Sequence, residues 1–297
     1  AFMGKTYTVE EATFDSFKGM DIALFAGGSI SKDFAPHAVK AGAVVIDNSS
    51  AFRMDPEVPL VVPEVNPQAI LKHKGIIANP NCSTIIMVMA LKPIYDLAKI
   101  KRVIVSTYQA VSGAGKEGID ELDAQVREHS EGREMTANIL PSASAEKHYP
   151  IAFNLIPQID VFCDNLYTKE EMKMVNETKK IMEDYEMRIT ATTIRVPVYR
   201  SHSESVNIEL EKEVDLGAMR EALAKFPGVT VQDDPSKQEY PMPLYTSEKD
   251  DVYVGRLRRD ESCEKSYNMW VVGDQIRKGA ALNTLQIAET MIKNGWI

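Results

Sequence analysis

At 297 residues with 44% hydrophobic side chains, the chain is long enough to build two domains with cores of their own. A net charge of −9 argues against a nucleic-acid partner, which needs clustered Lys and Arg, and no apolar run reaches the ~18 residues of a membrane span. Three widely spaced cysteines, Cys82, Cys163 and Cys263, make neither a disulfide ladder nor a Cys-x-x-Cys metal pattern, so a reducing cytoplasm and no metal site are expected.

The pattern from residue 20 onward is α/β. Residues 21–26 predict a short buried strand ending in Gly27-Gly28-Ser29, and Ser29 or Ser31 can cap a helix running to about residue 41. Gly42 ends that helix; residues 43–47, 58–62 and 75–78 supply three more strands. Strands apolar on both faces and alternating with helices imply a parallel sheet covered on both sides. The stretch "GIIANPNCSTIIMVMALKPI" then turns a strand into a helix at Asn79-Pro80-Asn81, with Cys82 at the corner. Beyond residue 100 the elements lengthen. A strand is predicted over 102–111, helices over 116–130 and, with Thr168 as cap, 169–184, and a polar loop over 131–150. Strands over 188–198, 204–210, 229–233, 251–257 and 269–273, with helices over 216–226 and 279–294, suggest a large sheet of mixed type.

A thiol at a helix N-terminus sits beside unpaired backbone N–H groups and the positive dipole end, which lower its pKa and can hold an oxyanion. Asn81 or Ser83 can cap that helix. The bland alternative makes Cys82 a small apolar core residue, which is also the reading of Cys163 and Cys263. A nucleophilic thiol needs a partner, and His37, His73, His129 and His148 lie in stretches with no second reactive group nearby. His202 lies seven residues after Arg195, whose fork suits a carboxylate. Odd spacing puts the two on opposite faces of a regular strand unless the chain bends at Pro197 or between Tyr199 and Ser201. Otherwise they are a surface Arg and a solvated His.

The motifs "NPNCST", "VSTYQAVSGAG", "HYPIAFN" with "PQIDVF", "YTKEEMKMVNETKKIM", "RVPVYRSHSES" and "MWVVGDQIRKGAA" occur in one order and together resemble aspartate-semialdehyde dehydrogenases of bacterial type. The resemblance runs from about residue 5 to residue 293. It implies NADPH-dependent reduction of L-4-aspartyl phosphate to L-aspartate 4-semialdehyde and phosphate, in the pathway to lysine (through diaminopimelate), methionine, threonine and isoleucine. It makes Cys82 the nucleophile that carries a thioester, Gln109 the residue orienting the intermediate, and His202 the acid–base catalyst. Arg195 grips the substrate carboxylate, Glu170 receives the ammonium, and Arg53, Lys173 and Asn81 bind the phosphoryl group. Gly27, Gly28, Ser29, Ser112, Gly113 and Gln275 fall where the family touches NADP. Read alone, Glu170 and Lys173 are also a solvated i, i+3 ion pair on a helix face.

The fold implied is a Rossmann-like dinucleotide-binding domain, residues 1–81 with 276–297, joined to an α+β catalytic and dimerisation domain with a large mixed sheet, residues 82–275. A homodimer or homotetramer is expected. The chain departs from the family at its start, Ala1-Phe2-Met3-Gly4-Lys5, which shows no secretory signal and no glycine-rich phosphate loop before residue 27. By that comparison the sequence begins about one β-α-β unit late, roughly forty residues; if the molecule itself lacks the unit, and not only this sequence, weak cofactor affinity and an exposed sheet edge are expected. The rival enzyme reading is an N-acetyl-glutamyl-phosphate reductase, whose acetylated substrate needs no Glu170. The rival from another class is a non-catalytic homologue that has lost its cofactor site.

Overall fold

The computed structural model describes residues 4–143 and 145–297, so the expectation for residues 1–3 lies outside the described residues. The first sheet is parallel, in the order β1 (Ile22–Phe25), β2 (Val44–Asp47), β3 (Ile76–Ala78). Helix α1 (Ser31–Lys40) covers one face through Ala35 and Ala38 against Ala43 and Val45. The other face carries Ile46 and Ile77, which pack on Ile287 and Met291 from the last helix. β1 is an edge strand and Leu24 on it is 47% exposed.

Two local expectations are corrected. Residues 58–62 are buried but form no strand: Leu60 makes a single bridge to Ala78, because Pro59 and Pro63 have no N–H with which to extend a ladder. Neither Ser29 nor Ser31 caps α1. A 3₁₀ turn over Gly28–Ile30 runs straight into the helix, Ile30 occupies the cap position, and the Ser31 hydroxyl is buried without a partner among the described residues.

The second sheet has six strands in the order β5-β4-β6-β9-β8-β7. β4 (Ile100–Gln109) pairs in parallel with β5 (Arg188–Arg195) and antiparallel with β6 (His202–Leu210). β9 (Ser266–Gly273) lies antiparallel to β6 and to β8 (Val252–Arg259), and β7 (Val229–Val231) runs parallel to β8. The sheet is therefore mixed, as expected. Helix α2 (Cys82–Leu97) lies across it and is apolar all round, with Ile85 through Leu91 fully buried. Along β6 the pleat sends His202, Glu204, Val206, Ile208 and Leu210 toward α2 and Ser205, Asn207 and Glu209 to the far side.

Helix α3 (Lys116–Ser130) falls on its predicted span. Helix α4 (Lys169–Ile181) is held at its start by a capping box between Thr168 and Glu171. Helices α5 (Leu216–Lys225) and α6 (Pro243–Thr246) complete the set around the larger sheet. The final helix α7 (Leu282–Lys293) is entered through a π turn over Arg277–Ala281, which replaces the regular first turn expected there.

Candidate active site

Four elements end at one place. β4 finishes at Gln109 and β5 at Arg195, which stand opposite each other in register. β6 begins at His202, and α2 begins at Cys82. The chain reverses between Arg195 and His202 through residues 196–201, with Ser201 in the left-handed region at φ 73°. This reversal puts the two on one side: a Cβ on Gly113 would lie 2.6 Å from Arg195 Nη1 and 3.2 Å from the His202 ring. The result is a cavity of about 420 Å³ lined by Arg53, Asn81, Cys82, Gln109, Ser112, Gly113, Glu170, Lys173, Arg195, Gln275 and Gly279.

Asn81 caps α2 by accepting from Thr84 N–H at 3.1 Å, which fixes the thiol at the first turn. Cys82 Sγ lies 3.6 Å from His202 Nε2. The Ala110 N–H donates to His202 Nδ1 at 3.0 Å, so the hydrogen of the neutral ring is on Nε2, facing the sulfur. The Ala110 carbonyl accepts from Arg195 Nη1 at 2.7 Å. One residue thus orients both side chains, through its backbone alone. Arg195 is 3% exposed and, among the described residues, has no carboxylate partner and no acceptor for its buried Nε. A buried guanidinium in that condition is short of an anion.

Glu170 accepts from Asn81 Nδ2 at 2.9 Å, Gln109 Nε2 at 3.2 Å and Lys173 Nζ at 3.1 Å. Burial alone raises its carboxyl, but Lys173 and the two amides outweigh burial and hold it below the usual range. Lys173 also pairs with Asp160 at 3.0 Å; these carboxylates overcome the cost of burying its charge and raise its pKa. The i, i+3 pair and the cavity lining are therefore the same residues. Arg53 is anchored by the carbonyls of Asn79 (2.9 Å) and Asn48 (2.8 Å) and by Glu177 at 3.3 Å.

The thiol's ionisation departs from expectation. Burial, reinforced by Glu170, pushes Cys82 up to about 11, while Arg53, the Ser83 N–H and Arg195 pull the other way and lose. The helix terminus acts with the predicted sign, but it is not the largest influence. His202 is held well below its usual value by burial and by Arg195, so the resting pair is a neutral thiol and a neutral imidazole.

The residues expected to hold the cofactor divide between two places. Ser112, Gly113 and Gln275 line the cavity with the thiol, and Gln275 ties its wall together by accepting from Ser201 N–H at 2.9 Å and donating to Ser112. Gly28 and Ser29 line a neighbouring cavity of about 350 Å³ with Lys32, and Ser50 lines both. Gly27 lines neither; a Cβ there would lie 2.6 Å from Ile30, so it serves the turn. The second cavity lies beyond the carboxyl ends of parallel strands β1 and β2, and Gly28 stands there at φ 64°. That is the position and backbone a dinucleotide phosphate needs, so these residues fit the group.

Sequence reasoning missed four participants. Ala110 acts only through its backbone and has no side-chain signal. Asp160 comes from a separate loop. Gly279 packs where a Cβ would fall 3.0 Å from Cys82 Cβ. Glu177 lies two helical turns after Glu170 on the same face, a spacing that could have revealed it.

Two family models match the chain: the semialdehyde dehydrogenase NAD-binding domain over residues 2–73 and the semialdehyde dehydrogenase dimerisation domain over residues 91–278. The chain is 57% identical to an aspartate-semialdehyde dehydrogenase of Aquifex aeolicus over 300 residues, covering 100% of this chain and 86% of the relative. It is 54% identical to the enzyme of that name from Bacillus subtilis, covering 98% and 85%. Among solved structures, aspartate semialdehyde dehydrogenase II from Vibrio cholerae, complexed with ASA, superposes with a TM-score of 0.86 at 47% identity, covering 92% of this chain and 79% of that one.

Proposed function

Because the chain belongs to the aspartate-semialdehyde dehydrogenase family, we propose that it reduces L-4-aspartyl phosphate to L-aspartate 4-semialdehyde with NADPH, reversibly, through a thioester on Cys82. It is an oxidoreductase with an NAD(P)-binding domain, and it serves amino-acid biosynthesis from aspartate. The observation that carries the site assignment is one cavity holding a thiol 3.6 Å from an imidazole, with a carboxylate and cations on its walls. The substrate carries one carboxylate, one ammonium and one phosphoryl group. Arg195, short of an anion, takes the carboxylate; Glu170 takes the ammonium; Arg53 and Lys173 with Asn81 take the phosphoryl group.

Sγ attacks the acyl carbon, the bond from that carbon to the phosphate oxygen breaks, and the thiol proton ends on the departing phosphate. Gln109 holds the thioester beside Glu170. When bound, the nicotinamide supplies the hydride that reduces the thioester carbon, and accepts it in reverse. The negative oxygen formed on that carbon collapses to the aldehyde, the carbon–sulfur bond breaks, and the thiolate takes a proton from water. His202 Nε2–H donates to that oxygen and then to the thiolate. Taking the thiol proton at Nε2 would require moving the ring hydrogen to Nδ1, where the Ala110 N–H already points. His202 thus serves as an oxyanion and thiolate donor rather than as the base for Cys82.

The choice of NADP over NAD is supported by Lys32, which lines the cavity with Gly28 and Ser29 and offers a cation for the extra phosphate. Residues 1–81 with 276–297 form the nucleotide-binding unit and 82–275 the catalytic and dimerising one, in a cytoplasmic homodimer that can pair into a tetramer. The test is the reverse reaction, with semialdehyde, phosphate and NADP, followed by acid quench and mass spectrometry of the Cys82 peptide. An acyl adduct on Cys82 is expected. Its absence during turnover, or a preference for N-acetyl-glutamyl phosphate in the forward direction, rejects the assignment.

A further inference from the structure

Helix α4 meets the site along one face, where Glu170, Lys173, Glu177 and Lys180 follow at three- and four-residue steps. The first two line the cavity. Glu177 stands behind its wall, 1% exposed, and each of its oxygens holds a different part of the site. Oε1 accepts from Arg53 Nη1 at 3.3 Å; Oε2 accepts from the Asn81 N–H at 2.6 Å. Lys180, one turn on, donates to the carbonyls of Arg53, Asp55 and Val58 at 2.7 to 2.8 Å, so the backbone that carries Arg53 is tied to the same helix.

We propose that Glu177 is the positioning residue of the phosphate-binding half of the site: one buried carboxylate sets the Arg53 guanidinium and the peptide preceding Cys82 at a fixed separation. The inference rests on the assignment of Arg53 to the phosphoryl group. Arg53 has five N–H donors. Nε and one hydrogen of Nη2 are committed to the carbonyls of Asn79 and Asn48, and one hydrogen of Nη1 to Glu177. One hydrogen on each terminal nitrogen is left for an anion. Glu177 is the carboxylate that balances Arg53, so it keeps the guanidinium aimed between turnovers, when no phosphoryl group is there to do so. Because the other oxygen holds Asn81, displacement of Glu177 moves the cation and the start of α2 independently, and the phosphorus loses its alignment with the sulfur.

The test is the reverse reaction, in which phosphate and semialdehyde have separate Michaelis constants. Glu177→Gln keeps the size of the side chain but turns an amide N–H toward either Arg53 or Asn81. The phosphate KM is expected to rise about tenfold, with the semialdehyde KM within about twofold of wild type. Glu177→Asp keeps both oxygens one methylene further back and is expected to give a smaller rise; it carries the test if Glu177→Gln does not fold. An unchanged phosphate KM overturns the proposal, and so does an equal rise in both constants, which a general loss of packing would give. Arg53→Ala separates this inference from the one beneath it. If Arg53→Ala leaves the phosphate KM alone, the phosphate assignment of Arg53 is wrong. If it raises that constant and neither Glu177 variant does, only the role of Glu177 is lost. In the double variant, Glu177→Gln is expected to add less than about twofold to the effect of Arg53→Ala.

Discussion

Between Glu170 and His202, the sulfur of Cys82 is under opposing electrostatic influences. Glu170 and burial favour the thiol, while Arg53, Arg195 and the Ser83 N–H favour the thiolate. In the proposed mechanism a substrate ammonium seated on Glu170 would remove one obstacle to ionisation just as the acyl carbon arrives. Glu170→Gln is therefore expected to speed alkylation of Cys82 by iodoacetamide at pH 7, by roughly threefold to tenfold, while it lowers turnover. Slower or unchanged alkylation would show that Glu170 does not restrain the thiol. Glu204, two residues after His202 on the same face of β6, is fully buried with neither oxygen partnered among the described residues. Burial, then Glu170, holds its carboxyl well above the usual range. Its folded pKa thus exceeds its unfolded one, so stability is full below the unfolded value and is lost as pH rises toward the folded one. Glu204→Gln should raise Tm at pH 8, by roughly 2–4 °C for each kcal/mol removed, and the gain should vanish near pH 4.5 in a calorimetric scan. The thiol corner at residue 82 was legible because proline, asparagine and a following apolar run are local signals. Its ionisation was not, since it depends on Glu170, far along the chain, and on burial.

At the scale of elements, the segments legible in the sequence are those whose signals lie inside them. α3 is bounded by Gly115 and an amphipathic run, and α4 by the Thr168 cap and Glu171. Residues 58–62 misled because their valines and leucine suggest a strand, while the pairing is prevented by Pro59 and Pro63. The π turn before α7 was invisible, since it is a matter of packing. It brings Gly279 against the first residue of α2, where an added Cβ would lie 3.0 Å from Cys82 Cβ and 3.3 Å from its Cα. The helix backbone at Cys82 cannot yield as a flexible side chain would. Gly279→Ala should lower kcat by about 10–100-fold through a small displacement of the sulfur, with Tm nearly unchanged. A wild-type kcat in that variant would mean that the contact has slack.

At the scale of the whole molecule, the six-stranded sheet is covered unequally. α2, α4 and α5 pack on the face carrying Val206, Ile208 and Met269. The opposite face presents Tyr108 and Trp270, with ring centroids 5.5 Å apart, beside Ser205, which is exposed on the adjoining strand. A sheet seeks cover on both faces, and the match to a dimerisation domain over residues 91–278 includes this one. Ser205→Arg should convert the proposed homodimer to monomer in sedimentation velocity at micromolar concentration; a homodimer that survives it uses another surface. The sheet order itself was beyond the sequence, because pairing β4 between β5 and β6 rests on contacts distant along the chain. The smaller sheet shows a similar dependence on distance. Its far face is closed by α7, with Asn283 donating to Val61 O at 3.0 Å and to Asn79 Oδ1 at 2.7 Å, and Lys278 paired with Glu64 at 2.6 Å. On the ribosome, β1 to β3 emerge long before the helix that shields them. The nascent chain must carry Ile46, Ile70 and Ile77 uncovered while the six-stranded sheet is still being synthesised, so the smaller sheet gains its cover only from a helix translated after the whole of the larger one.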